Sequence, residues 1–238
     1  MYTYLLVNVL SLFIPLLFSF EHRIAFYRKF LALLPAITIM AAVMLVWDEI
    51  FTYLGIWGFN PVYLVKIYIM SLPLEEVMFF LLIPYSCMFI YEAVNYGLKK
   101  FVFNQLAWKI SWILGIILLT VGILSIYFKL IYTSTVCLLT GGLMMFNGLI
   151  LKPKYLGNFF ICFLISLIPF LVVNGILTNG IPLISDQPVV WYNNFENLKI
   201  RIIGIPIEDS IYMLFMLTLT VNIYEYFKKK FNLSPENR

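Results

Sequence analysis

Charge is what this 238-residue chain has little of: 12% of its residues are charged and 63% are hydrophobic. A soluble domain averages about 25% charged residues, so this apolar surface needs lipid, and a soluble globular fold is excluded. The net charge of +4 is spread between apolar runs rather than gathered on a basic face, which speaks against nucleic acid as a partner. There is one histidine, His22, alone in a basic loop, where it reads as an interfacial residue. The three cysteines, Cys87, Cys137 and Cys162, are odd in number and sit inside apolar stretches. They match no metal or disulfide spacing and read as small buried apolar residues. No G-x-G-x-x-G follows a strand, and there is no Walker A sequence, no Ser or Cys nucleophile motif and no D-x-x-x-D inside a span. Dinucleotide, P-loop, covalent-nucleophile and diphosphate–Mg²⁺ chemistry are therefore not expected, and neither is a metal or organic cofactor. Residues 1–20 carry no charged side chain. Lacking the basic start and small-residue cleavage site of a secretory signal, they read as a retained first membrane helix.

What is there is a series of long apolar runs. A helix needs about 20 mostly apolar residues to cross a bilayer, and seven stretches qualify: 2–20, 30–47, 72–91, 108–127, 131–151, 155–175 and 207–227. Pro15, Pro35, Pro84 and Pro169 fall inside spans, where neighbouring helices can satisfy the carbonyls they free. With the N-terminus outside, 12 of the 16 Lys and Arg fall on the inner side, including Lys99, Lys100 and Arg238. That is the excess the positive-inside rule asks for, so the expected topology is N-out and C-in across the cell (inner) membrane. Eight of the twelve acids then share the outer face: Asp48, Glu49, Glu75, Glu76, Asp186, Glu196, Glu208 and Asp209. Two outer loops are long. The first, 48–66 with Trp47 just before it, carries Phe51, Tyr53, Trp57, Phe59 and Tyr63 as an interfacial belt, a lid over the acids, or both. The second, 176–205, is polar, with Asn179-Gly180, Pro182 and Pro188 as turn signals.

The third and seventh spans repeat one another. Lys66, Pro73-Leu74-Glu75-Glu76 and Ile90-Tyr91-Glu92 match Lys199, Pro206-Ile207-Glu208-Asp209 and Ile223-Tyr224-Glu225, each 133 residues later. Duplication of a three-helix unit accounts for this. The expected architecture is an all-α polytopic membrane bundle of about seven helices: a first repeat over 1–95, a linking helix over 96–130, a second repeat over 131–230 and a cytoplasmic tail over 231–238. An odd linking span makes the repeats parallel, related by an axis along the membrane normal. Both acid pairs then come to one depth on one face.

A Pro followed by acids in a first helical turn has an ordinary structural use, because the acids complement the helix dipole and bind free N–H groups. In a membrane the balance changes. A charge at bilayer-centre depth costs about 2.5–3.5 kcal/mol, and intramembrane acids are functional candidates by default. Neighbours on a helix point about 100° apart. One acid of each pair is therefore expected to face the interior while the other caps, and Glu75 and Glu208 are expected to be the inward pair. Two buried carboxyl groups sharing a site prepare one acid and one base. Glu92 and Glu225 lie about 25 Å further along their helices and are expected to snorkel at the inner interface beside lysines.

Small seven-helix chains with Pro-x-Glu-(Glu/Asp) in each of two repeats resemble the membrane-embedded lycopene cyclases, here in the fused single-chain form. Trp47-Asp48 and the stretch from Arg201 to Asp209 also look family-like. The resemblance implies an isomerase-type intramolecular lyase with no net redox change and no cofactor. A carboxylic acid protonates an acyclic end of lycopene, the tertiary cation closes a six-membered ring, and a base removes a proton to give a β-ionone ring, yielding γ-carotene and β-carotene. It implies Glu75, Glu76, Glu208 and Asp209 as catalytic candidates. Asp48, Trp47, Trp57, Lys66, Lys199 and Arg201 are the substrate-binding or supporting candidates, with Lys66 and Lys199 placed to hold the outer acids ionised or to serve the surface. The expected partners are lycopene, other carotenoids with acyclic ends, and the bilayer; a homo-oligomer stays open. Two other readings remain: a carotenoid hydratase in which water captures the same cation, and a small membrane transporter.

Overall fold

The computed structural model describes residues 2–98, 103–179 and 187–233. Lys99, Lys100, Gly180, Pro182, Asp186 and Arg238, on which parts of the charge and turn reading rest, lie outside the described residues. Seven helices follow in order: α1 (Thr3–Phe18), α2 (Phe30–Tyr53), α3 (Leu74–Leu98), α4 (Asn104–Tyr127), α5 (Ile131–Met145, continued by a π turn over Phe146–Leu151), α6 (Leu156–Asn179) and α7 (Ile207–Lys230). Among the described residues, five stretches are long and apolar enough to cross a membrane: Phe26–Tyr53, Leu74–Leu98, Asn104–Tyr127, Ile131–Leu151 and Leu156–Asn179. α1 is apolar but has 16 residues. α7 carries Glu208, Asp209, Glu225 and three terminal lysines, and buries twelve of its residues; a helix sheltered by its neighbours does not need an apolar surface all round. The protein is an all-α membrane helix bundle with an internal repeat.

The helices pack crosswise between the repeats. α1 lies on α3 and α5 on α7, while α2 packs against α7 and α6 against α3. The linking helix α4 packs along α5. Small residues allow a close approach there: a Cβ at Gly115 would lie 2.9 Å from the Gly141 carbonyl, and one at Gly141 3.0 Å from the Gly115 carbonyl. Pro15 in α1 has no N–H for the carbonyl of Ser11, and Ser86 Oγ of α3 donates to that carbonyl at 3.0 Å. The neighbour satisfies the carbonyl that the proline frees, as expected of a membrane helix.

Strands too short to announce themselves in the sequence frame the site. β1 (Trp57–Phe59) pairs antiparallel with β4 (Val190–Tyr192), joining the two long loops, with Gly58 opposite Trp191. A Cβ at Gly58 would collide with the Trp191 indole. β2 (Tyr68–Ile69) pairs with β3 (Leu72–Pro73), and β5 (Arg201–Ile202) with β6 (Ile205–Pro206), each as a hairpin leading straight into α3 or α7. The hairpins are copies: Lys66 and Met70 have φ of 66° and 57°, and Lys199 and Ile203 have 60° and 52°. Two boundaries move. The hairpin before α3 starts that helix at Leu74 rather than 72, and α2 runs on to Tyr53, so Asp48 belongs to the helix and not to the loop.

At the end of α3 and α7 away from the motifs, Tyr91 donates to Glu225 at 3.0 Å and Tyr224 donates to Glu92 at 2.8 Å. Lys228 Nζ bridges Glu92 at 3.0 Å and Glu225 at 2.8 Å, and Lys29 pairs with Glu92. Glu92 is buried. The expected lysine neighbours are present, but the snorkelling is corrected: these glutamates accept hydrogen bonds from the tyrosine of the opposite repeat and are paired by two lysines. Because α3 and α7 also meet at their motif ends, described next, they run parallel.

Candidate active site

The first turns of α3 and α7 meet at a narrow cavity of about 60 Å³. Three carboxylates face it, Asp48 from α2, Glu76 from α3 and Asp209 from α7, among Tyr4, Tyr132, Tyr192, Tyr212, Asn174 and apolar side chains. β1 and β4 close it with Trp57, Phe59, Val190 and Tyr192. Of the loop aromatics, Trp57 and Phe59 form the lid. Phe51 and Tyr63 are buried and Tyr53 is exposed.

The second acid of each motif faces the cavity. Glu76 accepts a hydrogen bond from the Tyr4 hydroxyl. Asp209 accepts from Tyr132 at 2.6 Å, Asn174 Nδ2 at 2.6 Å and Tyr192 at 2.7 Å. Burial and the Asp209 carboxylate push the Tyr192 phenol well above its usual range, so it keeps its proton and donates.

The expectation that Glu75 and Glu208 are the inward pair is corrected. Both are buried, but neither lines the cavity. Glu75 Oε1 accepts from the Val65 N–H at 2.5 Å, and Glu208 Oε1 accepts from the Leu198 N–H at 2.8 Å. Thr133 Oγ1 also donates to Glu208 at 2.6 Å. The physical reason is the hairpin before each helix. It folds back over the first turn and brings a backbone N–H to the first acid, and the 100° step leaves the second acid facing inward.

The other candidates separate likewise. Trp57 lines the cavity. Trp47 stands one layer behind, packing edge-on against Tyr212 at 5.0 Å and Phe215 at 5.6 Å. Lys66 and Lys199 are exposed, and neither pairs with an acid among the described residues. Their contribution is backbone, since each takes positive φ next to the residue whose N–H binds the first acid. Arg201 braces its hairpin by donating to Gly204 O and Asn194 Oδ1, both at 2.7 Å. Among the described residues, no group of three or more His, Cys, Asp and Glu side chains is placed to hold a metal. The three cysteines are free and buried, as expected.

Sequence reasoning missed Tyr4, Tyr132, Asn174, Tyr192 and Tyr212. A signal existed for the first two: each stands near the start of the first helix of its repeat, and each reaches the second acid of its own repeat's motif.

A sequence profile described as lycopene cyclase matches residues 1–94 and 129–227. The chain belongs to the lycopene cyclase family. The two matched segments lie either side of α4, one holding α1 to α3 and the other α5 to α7, as a fused two-repeat lycopene cyclase requires. Membership makes the chain a cyclase enzyme, with a carotenoid substrate and a membrane around it. No curated protein and no solved structure matches the chain.

Proposed function

We propose that this lycopene cyclase converts the acyclic ends of lycopene to β-ionone rings, giving γ-carotene and then β-carotene, by proton transfer between carboxyl groups. The observation that carries the reading is that Asp48, Glu76 and Asp209 share one cavity walled by aromatic rings. One carboxyl delivers a proton to the terminal double bond. The neighbouring double bond attacks the tertiary cation, and a second carboxylate takes a ring proton. The reaction is an isomerisation, an intramolecular lyase step without net redox. Glu76 and Asp209 are the acid–base groups. Glu75 and Glu208 hold the hairpins that fix them, and the faces of Trp57, Phe79 and Tyr212 stabilise the cation. A lid of β1 and β4 keeps water from capturing it.

A cavity of about 60 Å³ is smaller than the ~150 Å³ cavity that holds a benzene, so an end group enters by parting this lining while the polyene lies in lipid. The repeats span 1–95 and 131–230 about the link 96–130. The N-terminus lies outside and the C-terminus in the cytoplasm of the cell membrane, with the cavity toward the outer face.

The test is carotenoid extraction from lycopene-accumulating cells that express the chain. The expected result is β-ring products. Hydroxylated acyclic carotenoids would show that water traps the cation, and unchanged lycopene with the protein in the membrane would overturn the cyclase reading.

A further inference from the structure

The two repeats place equivalent residues around the cavity, and the equivalents differ at two positions that matter for protons. α2 and α6 align at an offset of 126 residues: Leu45-Val46, Ile50 and Thr52 match Leu171-Val172, Ile176 and Thr178. The buried Met44, Asp48 and Phe51 fall on the buried Phe170, Asn174 and Leu177. Asp48 is therefore the counterpart of Asn174. β1 and β4 pair about Gly58 and Trp191, which makes Phe59 the counterpart of Tyr192. The ring contacts agree: Tyr4 stacks on Phe59 at 6.5 Å, and Tyr132 stacks on Tyr192 at 6.2 Å.

Both differences act in one direction. Asp209 is surrounded by three donors, from Tyr132, Tyr192 and Asn174, the complement of a carboxylate that can only accept. Glu76 has the Tyr4 hydroxyl, but a phenyl ring where the other half has a second hydroxyl. Where the other half has an amide donor, it has the carboxyl of Asp48, which lines the same cavity and whose Oδ2 has no partner among the described residues. Two carboxyl groups that share a buried cavity cannot both be ionised cheaply, so one of them carries a proton.

We propose that Asp48 and Glu76 hold and deliver the proton that starts the reaction, and that Tyr192 and Asn174 keep Asp209 as the base that ends it. Tyr192 and Asn174 are positioning residues acting through Asp209, while Asp48 shares the proton with Glu76. The proposal rests on the cyclase reading above and gives the two repeats opposite roles.

The balance is as follows. The π pair of the terminal double bond takes the proton from the Asp48–Glu76 pair as a new C–H bond. The neighbouring π pair closes the ring C–C bond. A ring C–H bond breaks, its electrons becoming the ring double bond and its proton going to Asp209. One half ends a proton poorer and the other a proton richer, and both exchange protons with water before the next turnover.

The experiment places purified chain in lipid vesicles with lycopene in D₂O and reads product rings together with deuterium in recovered lycopene. Each variant is first checked for the wild-type elution volume in detergent. Wild type should add one deuterium per ring. Asp48→Asn and Glu76→Gln should lower ring formation at least about 100-fold and leave recovered lycopene unlabelled, because nothing protonates it. Asp209→Asn should block ring formation yet label recovered lycopene, since the cation forms and reverts. Tyr192→Phe, the milder variant, should slow ring formation about tenfold, the loss of one hydrogen bond to a charged group, and should also label lycopene. Label in lycopene from Asp48→Asn or Glu76→Gln, or unlabelled lycopene from Asp209→Asn and Tyr192→Phe, would overturn the assignment. Wild type that leaves lycopene untouched would instead remove the cyclase reading beneath it.

Discussion

A step of about 100° separates neighbours on a helix, and it gives two acids written side by side different work. Glu75 and Glu208 each close a hairpin onto the helix it precedes; Glu76 and Asp209 face the cavity. Hydrogen bonds to charged groups contribute about 1.5–3 kcal/mol, so Thr133→Val, which removes one from Glu208, should lower stability by about that much while the folded fraction still cyclises. Thermal unfolding in detergent beside a turnover assay checks both halves. The acids were legible because a carboxylate is conspicuous in an apolar run. Their tyrosine partners were not, because the chain has 16 tyrosines and only the packing of α1 on α3 and α5 on α7 decides which of them meets an acid. Which acid of each pair turns inward was likewise hidden. The hairpins that decide it depend on positive φ at Lys66, Met70, Lys199 and Ile203, residues that carry no turn signature.

The elements themselves were readable from hydrophobic length. All seven expected helices exist, five of them in stretches long and apolar enough to cross a membrane, with ends displaced by up to two turns, because α2 and α3 extend past the apolar run into sheltered polar residues such as Asp48 and Glu92. Proline inside a membrane helix is tolerated when the carbonyl it frees finds another donor, as the Ser11 carbonyl finds Ser86 beside Pro15. Ser86→Ala should therefore cost about 0.5–2 kcal/mol. Ser11→Ala, which keeps that carbonyl and its donor, should leave this bond intact. A pair of detergent melting curves distinguishes the two. A larger loss from Ser11→Ala than from Ser86→Ala would contradict the repair.

For the whole molecule, the repeats are held in register at both ends of α3 and α7. At the cavity end, β1 and β4 pair across the axis. At the other end, Tyr91 and Tyr224 exchange bonds with Glu225 and Glu92 around the buried Lys228. Removing one partner from a buried charge cluster costs about 3–5 kcal/mol. Lys228→Met should thus destabilise the bundle by that order, whereas Lys229→Met, at an exposed position, should stay within about 0.5 kcal/mol. Equal melting temperatures for the two variants would show that the cluster does not join the repeats. At this scale the repeat was legible from the 133-residue offset, and its parallel sense from the single linking span. Its crosswise packing, α2 on α7 and α6 on α3, carries no sequence mark, because a face turned to lipid and a face turned to a neighbouring helix can both be apolar.

The central claim is that cyclisation runs on the second acid of each motif. The measurement that tests it most directly is carotenoid analysis of lycopene-accumulating cells carrying Glu75→Gln, Glu208→Gln, Glu76→Gln or Asp209→Asn, each normalised to folded protein. β-Ring products retained in the first two and lost in the last two are the predicted result. Loss confined to Glu75→Gln and Glu208→Gln, with Glu76→Gln and Asp209→Asn active, would contradict it.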